Sequence, residues 1–326
     1  MNLTAGQLDQ RGAVIWAGRD ATLTLSGTWD ARDGAVLQAG RNLRVQAAAA
    51  TVGGAAAGAS AGDSRSILQA NTGTLTAQVS GHLTDQGSRW WAGGNLLQVD
   101  AGQVNLTGST LGMSEANAQA RLVVRGDTIR LNGSQLTAPQ LEVATHAAPG
   151  ATAGADIQVQ ASNLLGTRSL TVTSGHDVTT TGSRLQAGDD SGRVGQLSLQ
   201  AGRRVATDGA SQLLSSGGLT LTAPSLDLGG RTYAARQLLL NTDQLRHTGD
   251  LQSDGALEVQ ALPGGSLAAI NSGTLRALGD ASIRFETWNN QGGLVHAEGQ
   301  LTVVSGRRAR FAAEAEAMAI AAWLAR

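Results

Sequence analysis

Three aspartates, Asp189, Asp208 and Asp227, stand 19 residues apart. Carboxylates stacked at a regular spacing could share the acid and base work of glycosidic-bond cleavage. Their contexts differ, however. Asp189 lies in a polar loop, Asp208 opens a glycine turn, and Asp227 stands between Leu226 and Leu228 in a strand-like alternation. Unequal register argues against one catalytic face. The five histidines, His82, His146, His176, His247 and His296, are scattered and form neither His-Glu-x-x-His nor a paired metal spacing, so they are expected at the surface or in turns. The calcium nonapeptide is absent, and "GHDVTTTGSR" (Gly175 to Arg184) lacks the Gly-x-Ser-x-Gly of a nucleophile elbow. With no cysteine, disulfides, thiolate metal sites and a cysteine nucleophile are excluded. No residue is assigned a catalytic, cofactor-binding or metal-ligating role. No cofactor is expected, and the chain reads as a non-enzyme.

Tryptophan carries the other chemistry. Trp16 and Trp91 each precede Ala-Gly in two alignable segments, and Trp90 adds a neighbour. Exposed indoles would stack on sugar rings; indoles turned inward would only pack. Arg203-Arg204 and the cluster Arg307, Arg308 and Arg310 read as solvated.

The elements that must position these side chains form a repeat. "GQLDQRGAVIWAGRDATLTLS" from Gly6, "GTWDARDGAVLQAGRNLRVQA" from Gly27 and "GHLTDQGSRWWAGGNLLQVDA" from Gly81 align by eye. Each ends in an apolar–polar–apolar triplet: Leu23/Leu25, Leu43/Val45 and Leu97/Val99. The triplet recurs through Leu122/Val124, Leu219/Leu221, Leu238/Leu240 and Leu257/Val259 to Ile283/Phe285 and Leu301/Val303, in steps from 19 residues up to the high twenties. A period in this range marks a repeat array. Alternation of period two, cut by Gly, Asn, Asp and Ser, means strands and turns rather than helices. The leucine-rich-repeat signature is missing, and propeller blades are about twice as long. The spacing predicts an all-β chain, a right-handed parallel β-helix with repeats of about 19–29 residues. Each coil buries its inward row only by stacking on the next.

Composition agrees. Charged residues are 15% of 326, the net charge is −1, and every basic residue is arginine, so no global field draws the chain to nucleic acid. Aromatics are 3% against 44 glycines, which suits a narrow interior of small residues. No apolar run is long enough for a transmembrane helix. The N-terminus lacks a secretory signal and enters within a repeat, as expected of a piece of a longer protein. Four Gly/Ala/Ser-rich insertions, Ala47 to Ser64, Gly112 to Ala120, Ala144 to Asp156 and Gly188 to Gly195, are expected as loops at coil corners. After Gly306 the pattern turns to "RRARFAAEAEAMAIAAWLAR", with Phe311, Ala315, Met318 and Ala322 at helical spacing. The expected division is a β-helix over 1–306 and a short C-terminal helix over 307–326, either a cap on the last coil or unrelated sequence.

Phrases such as "GSQLTAPQLEVA", "LTVTSGHDVTTTGSRLQA" and "NTDQLRHTGDLQSDGALEVQA" resemble the haemagglutinin repeats of filamentous haemagglutinin-type exoproteins. That group includes two-partner-secretion adhesins and contact-dependent growth inhibition exoproteins of Gram-negative bacteria. The resemblance spans about residues 2–305. It implies a structural or adhesive shaft segment of a secreted protein at the bacterial surface, presenting a distal adhesin or toxin. It also implies an outer-membrane two-partner-secretion transporter as partner, and a cell-surface receptor or glycan as target. It carries over no functional residue. The alternatives are a polysaccharide-active β-helix enzyme, marked by Asp, Glu and Arg clustered on one strand face of adjacent coils, and a glycan-binding module, marked by coplanar exposed Trp16 or Trp90/Trp91.

Overall fold

The computed structural model describes residues 1–54, 65–150, 154–189, 192–290 and 292–311, with side chains as far as Gly306. Every strand pairing is parallel, and strands pair with their counterparts one coil further along the chain. The result is a β-solenoid of about 13 coils, with no helix among the described residues. Each coil contributes to three faces. On the first, Leu197, Leu219, Leu238 and Leu257 stack in register, as do Leu199, Leu221, Leu240 and Val259 two residues later. All eight are essentially inaccessible to solvent. At about 1.5–3 kcal/mol per fully buried side chain, these columns are the principal favourable term of the fold. Their regularity explains why so few aromatics suffice.

Register corrects the sequence alignment in three places. Ala21 and Leu23, not Leu23 and Leu25, pair with Leu43 and Val45. Ala281 and Ile283, not Ile283 and Phe285, pair with Leu257/Val259 behind and Leu301/Val303 ahead. A shift of two residues keeps the same side inward, so the triplets remained plausible. One coil escaped notice altogether, Leu75/Ala77 between Leu43/Val45 and Leu97/Val99, because alanine stands in its second inward place.

The expected insertions shrink. Ala49–Gly53 is a strand of the second face, paired with Thr28–Arg32 and with Leu75–Gln86. Thr110–Met113 and Gln135–Thr145 likewise reach into segments expected as loops. Each of these stretches into the expected loops offers few large inward residues, Val52 in the first and Met113 in the second, too few to announce a strand. At the other end the last strand runs Leu301–Phe311, past Gly306, and Thr287 pairs with Arg308. The remainder of the expected helical tail, 312–326, lies outside the described residues.

The corner between the second and third faces carries a buried polar ladder. Ser66, Ser88, Ser109, Ser134, Ser162, Ser183 and Ser211 are all buried there. The backbone N–H of Ser109 donates to Ser134 Oγ (3.3 Å), that of Ser134 to Ser162 Oγ (3.0 Å), that of Ser162 to Ser183 Oγ (3.2 Å) and that of Ser183 to Ser211 Oγ (3.4 Å). Ser134 and Ser183 donate onward to the carbonyls of Leu106 and Val159. At five of the seven the residue just before the serine is left-handed: Gly87, Gly108, Gly133 and Gly182, and Ala161 (φ 46°). A buried corner must satisfy its amides, and a short hydroxyl after a left-handed turn does so.

Candidate functional site

One corner, between the first and second faces, gathers most of the histidine chemistry. His146 is gripped on both ring nitrogens, Nδ1 at 2.9 Å from Asp127 Oδ1 and Nε2 at 2.9 Å from Asp100 Oδ1. Partial burial depresses its pKa, but the two carboxylate hydrogen bonds outweigh it and the net shift is upward, favouring imidazolium. Further along, His176 Nδ1 lies 2.8 Å from Asp156 Oδ1 and 3.7 Å from Asp177 Oδ1. Asp177 is also held by Arg203, whose Nε donates at 2.8 Å, and this keeps its carboxyl below the usual range. The ligand atoms of Asp156, His176 and Asp177 fall within 4.8 Å of one another, the geometry of an N/O cation site. A cation would have to compete with Arg203 for Asp177, so the same atoms already form a neutralised ionic network.

The sequence-singled aspartates do not converge. Asp208 accepts hydrogen bonds from Ser211 Oγ (2.6 Å) and Gly182 N (3.0 Å) and serves the turn. Asp227 points outward between Arg204 (2.5 Å) and Arg246 (3.6 Å). Asp189 lies 3.5 Å from Arg193. Arg203 and Arg204 are exposed, as expected, and are also ion-paired. Arg307, Arg308 and Arg310 lie on a strand whose side chains there are not described. Other outward carboxylates are pinned as anions. Hydrogen bonds from Arg11 hold Asp9 down at about 2, and Arg32 holds Asp30 low. For Glu142 partial burial acts upward, and Arg125 and Arg121 outweigh it to leave the pKa lowered. A catalytic acid needs the opposite shift.

That opposite shift occurs at Asp85, whose sequence context gives no sign of it. Burial pushes its pKa up to about 6, partly offset by Ser88 and Trp90. Its Oδ2 accepts from Ser88 Oγ (2.5 Å) and from Trp90 Nε1 (2.7 Å). Asp85 is completely buried and no substrate reaches it. It anchors an indole, as Gln10 Oε1 does for Trp29 Nε1 at 3.1 Å. His247 also departs from the surface expectation. It fills an inward position, donating from Nδ1 to Asn271 Oδ1 (2.6 Å), while Asn271 Nδ2 donates to Asn290 Oδ1 (2.6 Å). Burial lowers its pKa. His82 is exposed and His296 half-buried.

The tryptophans divide by strand parity. Trp90 is buried, whereas Trp91 turns outward on the third face. Trp16 is 65% exposed. Register places both outward indoles on one row: Trp16 pairs with Gln38, Gln38 with Gln69, and Gln69 with Trp91. A second surface feature is a trough of about 760 Å3 on the second face, bordered by Arg204, Asp227, Gln244 and Arg246.

Comparison with known proteins gives one partial likeness of note. Over 109 residues, 33% of this chain, the sequence is 35% identical to a protein named Deoxyribonuclease CdiA from Dickeya dadantii (strain 3937). The chain spans only 3% of that protein's length. No family model matches the chain, and no solved structure matches it.

Proposed function

We propose that this chain is a shaft segment of a secreted, filamentous haemagglutinin-like exoprotein, a rigid spacer that holds a distal adhesin or toxin away from the bacterial surface. The observation that carries the reading is the unbroken stack itself. About 13 coils repeat one cross-section, and a third of the chain is similar to a small part of a very long CdiA protein. A parallel coil advances about 4.8 Å, so stacking converts chain into distance while each coil contacts only its neighbours. Most strong polar contacts serve that stack: serine ladder, arginine–carboxylate pairs, indole anchors. The partners follow from the reading: an outer-membrane two-partner-secretion transporter that exports the chain, and a receptor met by the distal end.

The polysaccharide-cleaving alternative requires paired carboxylates, one of them with a raised pKa, facing outward on adjacent coils. The outward pair Asp9/Asp30 is in register, but arginines hold both anionic. Sequencing the DNA flanking this reading frame tests the proposal. An upstream secretion domain and a neighbouring outer-membrane transporter gene are expected. A flanking polysaccharide lyase or hydrolase domain, with no transporter gene, would overturn it.

A further inference from the structure

The outward row of the third face carries a chemistry that a spacer does not need. We propose that the first four coils form a binding platform for an extended, uncharged β-linked polysaccharide, with Trp16 and Trp91 as its two stacking surfaces and Gln38 and Gln69 as the polar contacts between them. Four observations converge. The two indoles occupy the same register row, three coil steps apart, which is about 14 Å at the coil spacing. A pyranose in an extended β-linked chain advances about as far as one coil, so each sugar would meet one residue of the row.

Both indoles also lie against glycine. A Cβ on Gly18 would stand 3.4 Å from Cη2 of Trp16, and one on Gly112, in the next coil, 3.2 Å from Cε3 and Cζ3 of Trp91. Each ring is therefore laid down on a surface without a side chain beneath it. Trp16 is largely exposed and Trp91 half-buried, and an aromatic ring open on one face can receive the C–H face of a sugar. Between them the amides are oriented: Nε2 of Gln38 and of Gln69 both donate to Asn71 Oδ1, at 3.0 and 2.8 Å. This ties both amide nitrogens to Asn71, just past the end of the strand, and leaves their carbonyl oxygens for sugar hydroxyls. Finally, the row Trp16, Gln38, Gln69, Trp91 is free of charge, with nothing to pair a uronate or sulfate. The neighbouring outward row is apolar at Val14, Val36 and Ile67 and ends in Arg89.

The test is titration of the full chain with cellohexaose and chitohexaose, followed by tryptophan fluorescence and calorimetry, with heparin and the corresponding disaccharides as controls. At least one hexaose should bind with one-to-one stoichiometry, and the disaccharides, too short to span both indoles, much more weakly. Trp16→Ala and Trp91→Ala should each weaken binding by about tenfold or more, and Gln38→Ala/Gln69→Ala should weaken it with the indole signal retained. Trp16 is exposed, so its variant keeps the far-UV spectrum and reports on binding alone. The proposal is overturned by failure of both hexaoses to bind, by affinity unchanged in Trp16→Ala, by equal affinity for disaccharide and hexaose, or by binding of heparin in their place. Failure with the hexaoses would leave the shaft reading untouched.

Discussion

At the scale of single residues, the fold tolerates a costly carboxyl. Asp85 is buried with its pKa raised to about 6. A carboxyl whose folded pKa is raised favours the folded state when protonated. Its contribution is fully present below the ordinary value near 3.8 and is lost as pH rises through about 6. Wild type should therefore lose stability from this group between about pH 4 and 6, on the order of 3 kcal/mol for two pKa units. Asp85→Asn, which cannot ionise, should flatten that part of the profile. Urea midpoints of both proteins at pH 4 and 7 measure it; parallel profiles would mean the carboxyl is solvated. A second residue-scale pair tests direction. Leu221 is buried and Thr220 outward. Leu221→Arg should destabilise by several kcal/mol, since the guanidinium finds no partner, and Thr220→Arg by less than about 0.5 kcal/mol. Equal losses would place the strand register one residue off. The sequence revealed this inward parity clearly, because leucine alternates with threonine. It did not reveal Asp85 or His247. A polar residue at an inward position looks like a turn residue until its partner, Trp90 or Asn271, is known.

At the scale of elements, the long columns were legible and the corners were not. Steps of 19 residues from Leu219 to Leu257 announced stacked strands, and the stack has that register. Where alanine replaces leucine the pattern fades, which hides the strand Ala49–Gly53 and the coil at Leu75 from the sequence. The serine ladder had a readable signal, the repeated Gly-Ser dipeptides at 87–88, 108–109, 133–134 and 182–183, whose meaning requires knowing that these turns stack. Ser134 stands in the middle of it, accepting from Ser109 N and donating to Leu106 O. Ser134→Ala should cost about 1–3 kcal/mol, the penalty of leaving a buried backbone group unpaired, whereas Ser134→Thr retains the hydroxyl and should cost less. Thermal denaturation of both variants decides whether the ladder stabilises the corner; indistinguishable midpoints for wild type and Ser134→Ala would mean it does not.

At the scale of the whole molecule, the proposed shaft role makes length the quantity to measure. Register makes residues 218–236 and 237–255 one coil each, since Gly218 pairs with Gln237 and Gln237 with Ala256. Excising either should leave the neighbours able to stack, with a far-UV spectrum still dominated by strand. Adding coils should lengthen the particle without widening it, because each coil touches only the next. The most direct measurement is small-angle X-ray scattering of the chain beside a variant in which residues 218–255 are repeated twice more, four coils in addition. The account predicts an unchanged cross-sectional radius and a maximum dimension greater by about 19 Å. A variant that thickens instead, or stays the same length, would contradict the stacked spacer on which the functional proposal rests.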